Sequence, residues 1–317
     1  MAQIALLDKR PRSAPRTGGR APLVLGVGAL LALAGGVAFV RWRHLGVAQV
    51  SEGIGVSPHK VGAFFVLMAL FVPLERVFAL RRQSVLRPAW RADIVYFWLN
   101  GFFASAGTFV AVALVGTWLR ALLPSAAHHA IVRQPGMLQF AEAFFLSEIS
   151  EYWAHRAMHT VPWLWRFHRV HHSVADMDWL ASARLHPVDR ALTRSCAFLP
   201  LFVLGFSHTT LGLFGLFAAV QALAVHANVR WTFGPLRYVL ATPQYHHWHH
   251  VHWNEAGDEA RNKNFASKLP FVDWLFRSLY VPRRQWPSRY GLDDAVPHTY
   301  LGQLAWPFTA ESKTPVS

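Results

Sequence analysis

The chain has 317 residues, of which 53% are hydrophobic and only 15% charged, against roughly a quarter charged in an ordinary soluble domain. That balance excludes an ordinary soluble enzyme and an acidic disordered chain, and it points to a membrane. The formal charge of +14 comes without a nucleic-acid-binding motif, and many of the basic residues flank apolar runs. Anionic lipid and topology account for the charge, so no nucleic-acid partner is expected.

Residues 1–21 read as a disordered basic tail, with Lys9, Arg10, Arg12, Arg16 and Arg20 among Pro, Ser and Gly. A signal peptide is disfavoured, because the next apolar run is long and ends in Arg41-Trp42-Arg43 without a cleavage site. Residues 22–136 read as transmembrane helices. The first run, Pro22 to Val40, rises about 28 Å as a helix, close to the hydrocarbon thickness. The second spans about Val61 to Leu80, and the third about Ile94 to Leu122. A fourth runs from Met137 to Tyr152 and continues into the first histidine motif. A fifth, Leu192 to Val225, is interrupted by Gly205-Phe206-Ser207 and reads either as a helical hairpin or as a partly re-entrant segment. Residues 283–317 read as an irregular C-terminal tail with a short segment lying on the protein or the membrane. Arg81, Arg82, Arg87 and Arg91 crowd one linker, whereas residues 123–136 hold only Arg133. By the positive-inside rule this puts everything after the fourth helix on the cytoplasmic side. The expected fold is therefore an all-α, multi-pass integral membrane helical bundle with a cytoplasmic-side histidine-rich cap.

Thirteen of the 18 histidines fall between residues 155 and 252. They form an HxxxH (His155, His159), an HxxHH (His168, His171, His172) and a second HxxHH (His246, His249, His250). Residues three and four apart share a helix face, so each motif offers its imidazoles to one point. The three motifs supply eight imidazoles, which exceeds the four ligands of a structural zinc and favours two metals that keep open positions. Cys196 is the only cysteine. A thiolate cluster is excluded, and Cys196 reads as an inert packing residue. Glu148 shares a helical stripe with Glu151, His155 and His159. It reads either as a carboxylate that orients a ligand imidazole or as one paired with a nearby Arg. His247 and His252 read as solvent-facing.

Several stretches together resemble the fatty acid hydroxylase/sterol desaturase superfamily, over about residues 137–282. They are Tyr152-Trp153-Ala154-His155-Arg156 with His159, Leu164 through Ser173, Arg184-Leu185-His186-Pro187, and His226-Ala227-Asn228. Thr242 through His246 with Trp248-His249-His250, and Asp273-Trp274-Leu275-Phe276, complete the set. The resemblance implies a catalytic region at 137–282 whose histidines bind two iron ions as a di-iron centre, with dioxygen as co-substrate. The reaction it implies is hydroxylation or desaturation of a lipid. It implies His155, His159, His168, His171, His172, His246, His249 and His250 as ligands, adds His226, and gives His186 a neighbouring role. Where the family ends this region in Phe-Gly-Thr, this chain has Phe276-Arg277-Ser278. The polar stretch Glu255 to Asn264 reads as a longer loop over the site. Trp163, Trp165, Trp179, Trp248 and Trp274 either wall a lipid channel or serve packing and interfacial anchoring.

No dinucleotide fingerprint or haem-attachment motif is present, so electrons are expected from an external donor of ferredoxin or cytochrome type. Two alternatives use the same imidazoles: a zinc-dependent membrane hydrolase and a non-enzymatic metal transporter. A transporter predicts ligands along a path near the bilayer midplane, whereas these lie mostly beyond the helix ends.

Overall fold

A computed structural model describes residues 58–257 and 259–309. The basic tail and the first apolar run lie outside the described residues. All regular structure among the described residues is helical, apart from two isolated bridges, Ala79 with Val229 and Val251 with Tyr290.

Helix α1, Pro58–Val77, is the second apolar run. The third is α2, Trp90–Leu122, whose middle turn, Val112–Gly116, widens into a π-helix. The short α3, Ser125–Val132, leads into α4, Gly136–Thr160, a single helix that carries the fourth apolar run through the HxxxH motif. Val161 breaks the chain into an extended conformation, and Pro162 at the first position restarts it as α5, Pro162–His172. That tight corner turns the first HxxHH back towards the HxxxH. The fifth apolar stretch resolves as a helical hairpin of α6, Pro187–Leu204, and α7, His208–His226. Gly205 makes the hairpin possible: at φ 80° it closes α6 with its N–H on Phe202 O and the Phe206 N–H on Leu201 O. Ser207 then caps α7 by accepting from the Thr210 N–H. Three short helices complete the set: α8, Pro243–His249, α9, Pro270–Leu275, and α10, Tyr300–Thr309.

Among the described residues two helices, Trp90–Leu122 and His208–His226, are long and apolar enough to cross a membrane. Their outward faces are apolar: Phe102, Phe109, Leu114 and Trp118 on α2 and Leu213 and Leu216 on α7 are all more than half exposed. On the inward face α2 lies close against α6. A Cβ built on Gly107 would sit 2.5 Å from the Ala191 Cβ, so only glycine permits this approach.

Polar burial concentrates where the helices end. Arg87, Asp93, Asp178 and Arg184 form one buried row: Arg87 spans Asp178 (2.6 Å) and Asp93 (2.7 Å), and Arg184 binds Asp93 at 2.6 Å. The row ties the first turn of α2 to the segment before α6. The apolar core lies on two sides of the histidine region, one around Phe64, Tyr96, Val170 and Trp179, the other around Tyr152, Val225, Tyr245 and Phe265.

A branched side chain at Gly107 must push α2 from α6. Gly107→Val is expected to destabilise the bundle by about 1–3 kcal/mol, read as an earlier thermal transition of the detergent-solubilised protein, while Gly136→Val, which meets no atom within 4 Å, avoids that clash and shifts it less.

Candidate metal centre

The three histidine motifs converge, but not motif by motif. His155, His159, His168, His172 and His249 form one group, and His171, His226, His246 and His250 a second. Within each, the ligand atoms all lie within 4.8 Å of one another. The i, i+4 pairs stay together: 155 with 159, 168 with 172, 246 with 250. The remaining member of each HxxHH, His171 and His249, goes to the other group. This corrects the expectation that each motif serves one point. Positions four apart differ by about 40° around a helix and positions three apart by about 60° the other way. Two sites on neighbouring sides of α5 and α8 therefore split the motif. The groups adjoin, with the His172 and His250 rings stacked at 4.4 Å.

The donors are oriented from behind. His155 Nδ1 bonds Phe265 O (2.6 Å), His168 Nδ1 bonds Asp189 Oδ2 (2.8 Å), and His171 Nδ1 bonds Arg184 O (3.0 Å). His226 Nδ1 bonds Ala222 O (2.7 Å) and His249 Nδ1 bonds Lys263 O (3.0 Å). A carbonyl or carboxylate accepts only, so each Nδ1 carries the proton and each Nε2 is a lone pair. These lone pairs then face each other: His155 and His168 Nε2 are 3.0 Å apart, and His171 and His226 Nε2 3.2 Å. Two acceptors cannot bond each other at that distance; a cation between them resolves the repulsion. Ligands about 2.1 Å from one ion at right angles lie about 3 Å apart, which matches these spacings. Buried His159 Nε2 has no hydrogen-bond partner among the described residues. The donor set is all nitrogen, so it fits a borderline metal such as iron, zinc or copper.

A proton is a poor substitute for the metal. Burial first, and neighbouring imidazoles next, hold His171, His172, His246 and His250 well below the usual 6.5. Burial does the same to His168 and His249. The imidazoles are thus neutral and ready to ligate.

The other candidates fall elsewhere. His186 joins neither group: its Nδ1 accepts from the Val188 N–H, and its Nε2 lies 3.2 Å from Leu304 O. Glu148 touches no imidazole. Its carboxylate binds the Lys268 ammonium (2.8 Å) and accepts from the Lys268 and Leu269 N–H groups. The pairing partner is thus a lysine, and Glu148 acts by fixing the loop whose Phe265 carbonyl holds His155. His247 and His252 are buried rather than solvent-facing: His247 bonds Tyr290 Oη at 2.7 Å, and His252 lies 3.2 Å from Asp293. Of the five tryptophans, Trp165 lines a cavity beside His159, His172 and His249, which Trp253 and, from the polar loop, Ala256, Ala260, Arg261 and Asn262 also line. Trp179 packs in the aromatic core, whereas Trp163 and Trp274 face outward.

Asp189 escaped the sequence reading. It sits three residues after His186, in the first turn of α6, and an acid at a helix start reads as ordinary capping. Only the fold brings it to His168. Arg277 stands at φ 60°, the left-handed region that favours glycine, where the resembled family has Gly. Ser278 fills the last position usefully, donating to Asp273 at 2.7 Å with Tyr152 Oη also 2.7 Å away.

Residues 140–278 match the family model described as fatty acid hydroxylase. Over that stretch, less than half of its length, the chain resembles the fatty acid hydroxylase superfamily. It is 31% identical over 179 residues to an ornithine lipid hydroxylase of Rhizobium tropici, covering 56% of this chain and 53% of that one. It is 28% identical to a very-long-chain aldehyde decarbonylase of Oryza sativa subsp. indica, covering 42% of this chain and 49% of that one. It is 24% identical to an alkylglycerol monooxygenase of Caenorhabditis elegans, covering 47% and 28%. The chain thus spans about half the length of the first two relatives. No solved structure matches it.

Asp189→Ala frees the His168 ring and is expected to weaken metal binding about 10–100-fold, measured by competition with a chelator, whereas His186→Ala leaves it unchanged. Arg277→Gly is expected to stabilise the fold by up to about 1 kcal/mol, seen as a higher melting temperature.

Proposed function

We propose that the chain is a membrane di-iron oxidoreductase that hydroxylates or desaturates a lipid with dioxygen. One observation carries this reading: two adjoining groups of five and four buried, neutral imidazoles, each with lone pairs turned inward. Nine nitrogens exceed what a tetrahedral zinc uses, which favours two ions of higher coordination over a hydrolytic zinc site. The relatives' names, all lipid hydroxylases, monooxygenases or a decarbonylase, support a redox metal, and iron is the proposed occupant.

The first iron would be held by His155, His159, His168, His172 and His249, the second by His171, His226, His246 and His250. When bound, the iron pair supplies dioxygen activation, which no side chain in the site provides. The protein's part is geometric and dielectric. Phe265 O, Asp189, Arg184 O, Ala222 O and Lys263 O hold the rings in one tautomer, so the ligand set is preorganised. Trp165 and the loop around Trp253 cover the metal-side cavity and limit water near it. The apolar faces of α2 and α7 support a site beside a bilayer, where a lipid is at hand. The proposed placement is multi-pass with the centre on the cytoplasmic side.

The overall reaction either inserts one oxygen atom of dioxygen into a C–H bond and reduces the other to one water, or removes two hydrogens and reduces both oxygen atoms to two waters, taking up two protons from solvent in each case. It consumes two electrons per turnover. A ferredoxin- or cytochrome-type donor at the cytoplasmic face is proposed to deliver them, steered by the basic surface.

Purified protein from iron-replete cells is expected to hold about two irons per chain. His171→Ala and His249→Ala are expected to lose metal and lipid-oxidising activity, the latter followed by mass spectrometry of lipid extracts from cells with and without the gene. Zinc in place of iron together with oxygen-independent turnover, or full activity of both variants, overturns the assignment.

A further inference from the structure

Two cavities meet at one side chain. The smaller, about 30 Å³, touches His159, His172 and His249 and is walled by apolar groups such as Trp165, Val251, Trp253 and Ala256, with Arg261 and Asn262 beside them. The larger, about 490 Å³, carries the charged side chains of Arg87, Asp176, Arg184 and Asp294, with His298, among apolar ones such as Pro88, Ala175 and Val296. Leu292 lines both. The partition is thin there: Gly291, at φ 90°, brings its backbone to Ala175, where an added Cβ would lie 3.4 Å from the Ala175 Cα. Ala175 itself lines the larger cavity, three residues after His172.

The larger cavity also lies where a bilayer surface would be. Pro88 and Ala89 line it, and the span α2 starts at the next residue, Trp90. Gln303 lines it from α10, a helix that leaves Leu301 and Phe308 about 70% exposed, as an interfacial helix does. The two arginines there are neutralised by Asp93 and Asp178, so the chamber offers fixed dipoles and hydrogen-bonding groups in place of a bare positive field.

We infer that the larger cavity is a headgroup vestibule for a membrane lipid and that Leu292 is the gate its carbon chain must pass to reach the metal-side cavity. This rests on the lipid-oxidising reading above. The charged groups gather in the larger cavity, Arg87, Asp176, Arg184 and Asp294 against Arg261 alone in the smaller, as an amphiphile with its headgroup outside requires. The size difference makes Leu292 a gate: about 30 Å³ holds a water or two and no acyl chain, so the inner chamber must open towards the vestibule when a chain enters. Leu292 is a specificity-determining residue by position.

The protein is reconstituted in lipid nanodiscs with a phosphatidylethanolamine that carries a diazirine on one acyl chain. Photolysis is expected to label residues 251–262 as well as 294–298. Leu292→Trp is expected to lower labelling of 251–262 at least tenfold while labelling of 294–298 and metal content stay at the unsubstituted level. Leu292→Ala is expected to shift the oxidised products towards bulkier lipids. Equal labelling of 251–262 in Leu292→Trp, or no labelling of 294–298 in the unsubstituted protein, overturns the inference. If the unsubstituted protein labels as expected but oxidises no lipid, the enzymatic reading fails while the route stands.

Discussion

Buried imidazole lone pairs facing each other at about 3 Å are the constraint on which the rest of this structure depends. Neutral rings oriented in this way repel, and protonating one to relieve the clash is opposed by burial. Such a site persists only if the surrounding chain forces it. Five carbonyl or carboxylate acceptors do so by accepting the Nδ1–H of His155, His168, His171, His226 and His249. The cost in the free protein becomes preorganisation once a cation sits between the rings.

Each of those acceptors must itself be held, which explains why charge is buried so freely beside the apolar helices. Arg184 presents its carbonyl to His171 while its guanidinium is clamped to Asp93 in the first turn of α2. Lys268 and Glu148 pin the loop that offers Phe265 O to His155. Removing one partner from such a pair leaves an uncompensated buried charge and costs several kcal/mol. The apolar spans and the metal-binding cap are thus mechanically joined, since α2 anchors the row that orients a ligand.

The proposed lipid chemistry follows from the same joint. The proposed centre sits at the ends of helices apolar enough to cross a membrane, so in that proposal it meets its substrate at the bilayer surface. The larger cavity beside Trp90 and the smaller cavity beside His159 lie on either side of Leu292.

Much of this was legible along the chain. Helical spacing within short motifs revealed the eight imidazoles, and apolar runs revealed α1, α2 and α4, because periodicity and length are local properties; the stretch that forms α6 and α7 stayed open between a hairpin and a re-entrant segment. His226 emerged only through resemblance, since a single histidine at the end of an apolar helix carries no spacing signal. Local spacing could not say that His171 and His249 cross to the opposite group, that Asp189 rather than Glu148 meets an imidazole, or that His247 and His252 are buried. Those outcomes depend on how α5, α6 and α8 are rotated against one another, and rotation is set by packing between segments up to 110 residues apart, as for His155 and Phe265. The sequence by itself determined which side chains could bind metal; the tertiary structure alone decided how they divide between two sites and what holds each ring in place.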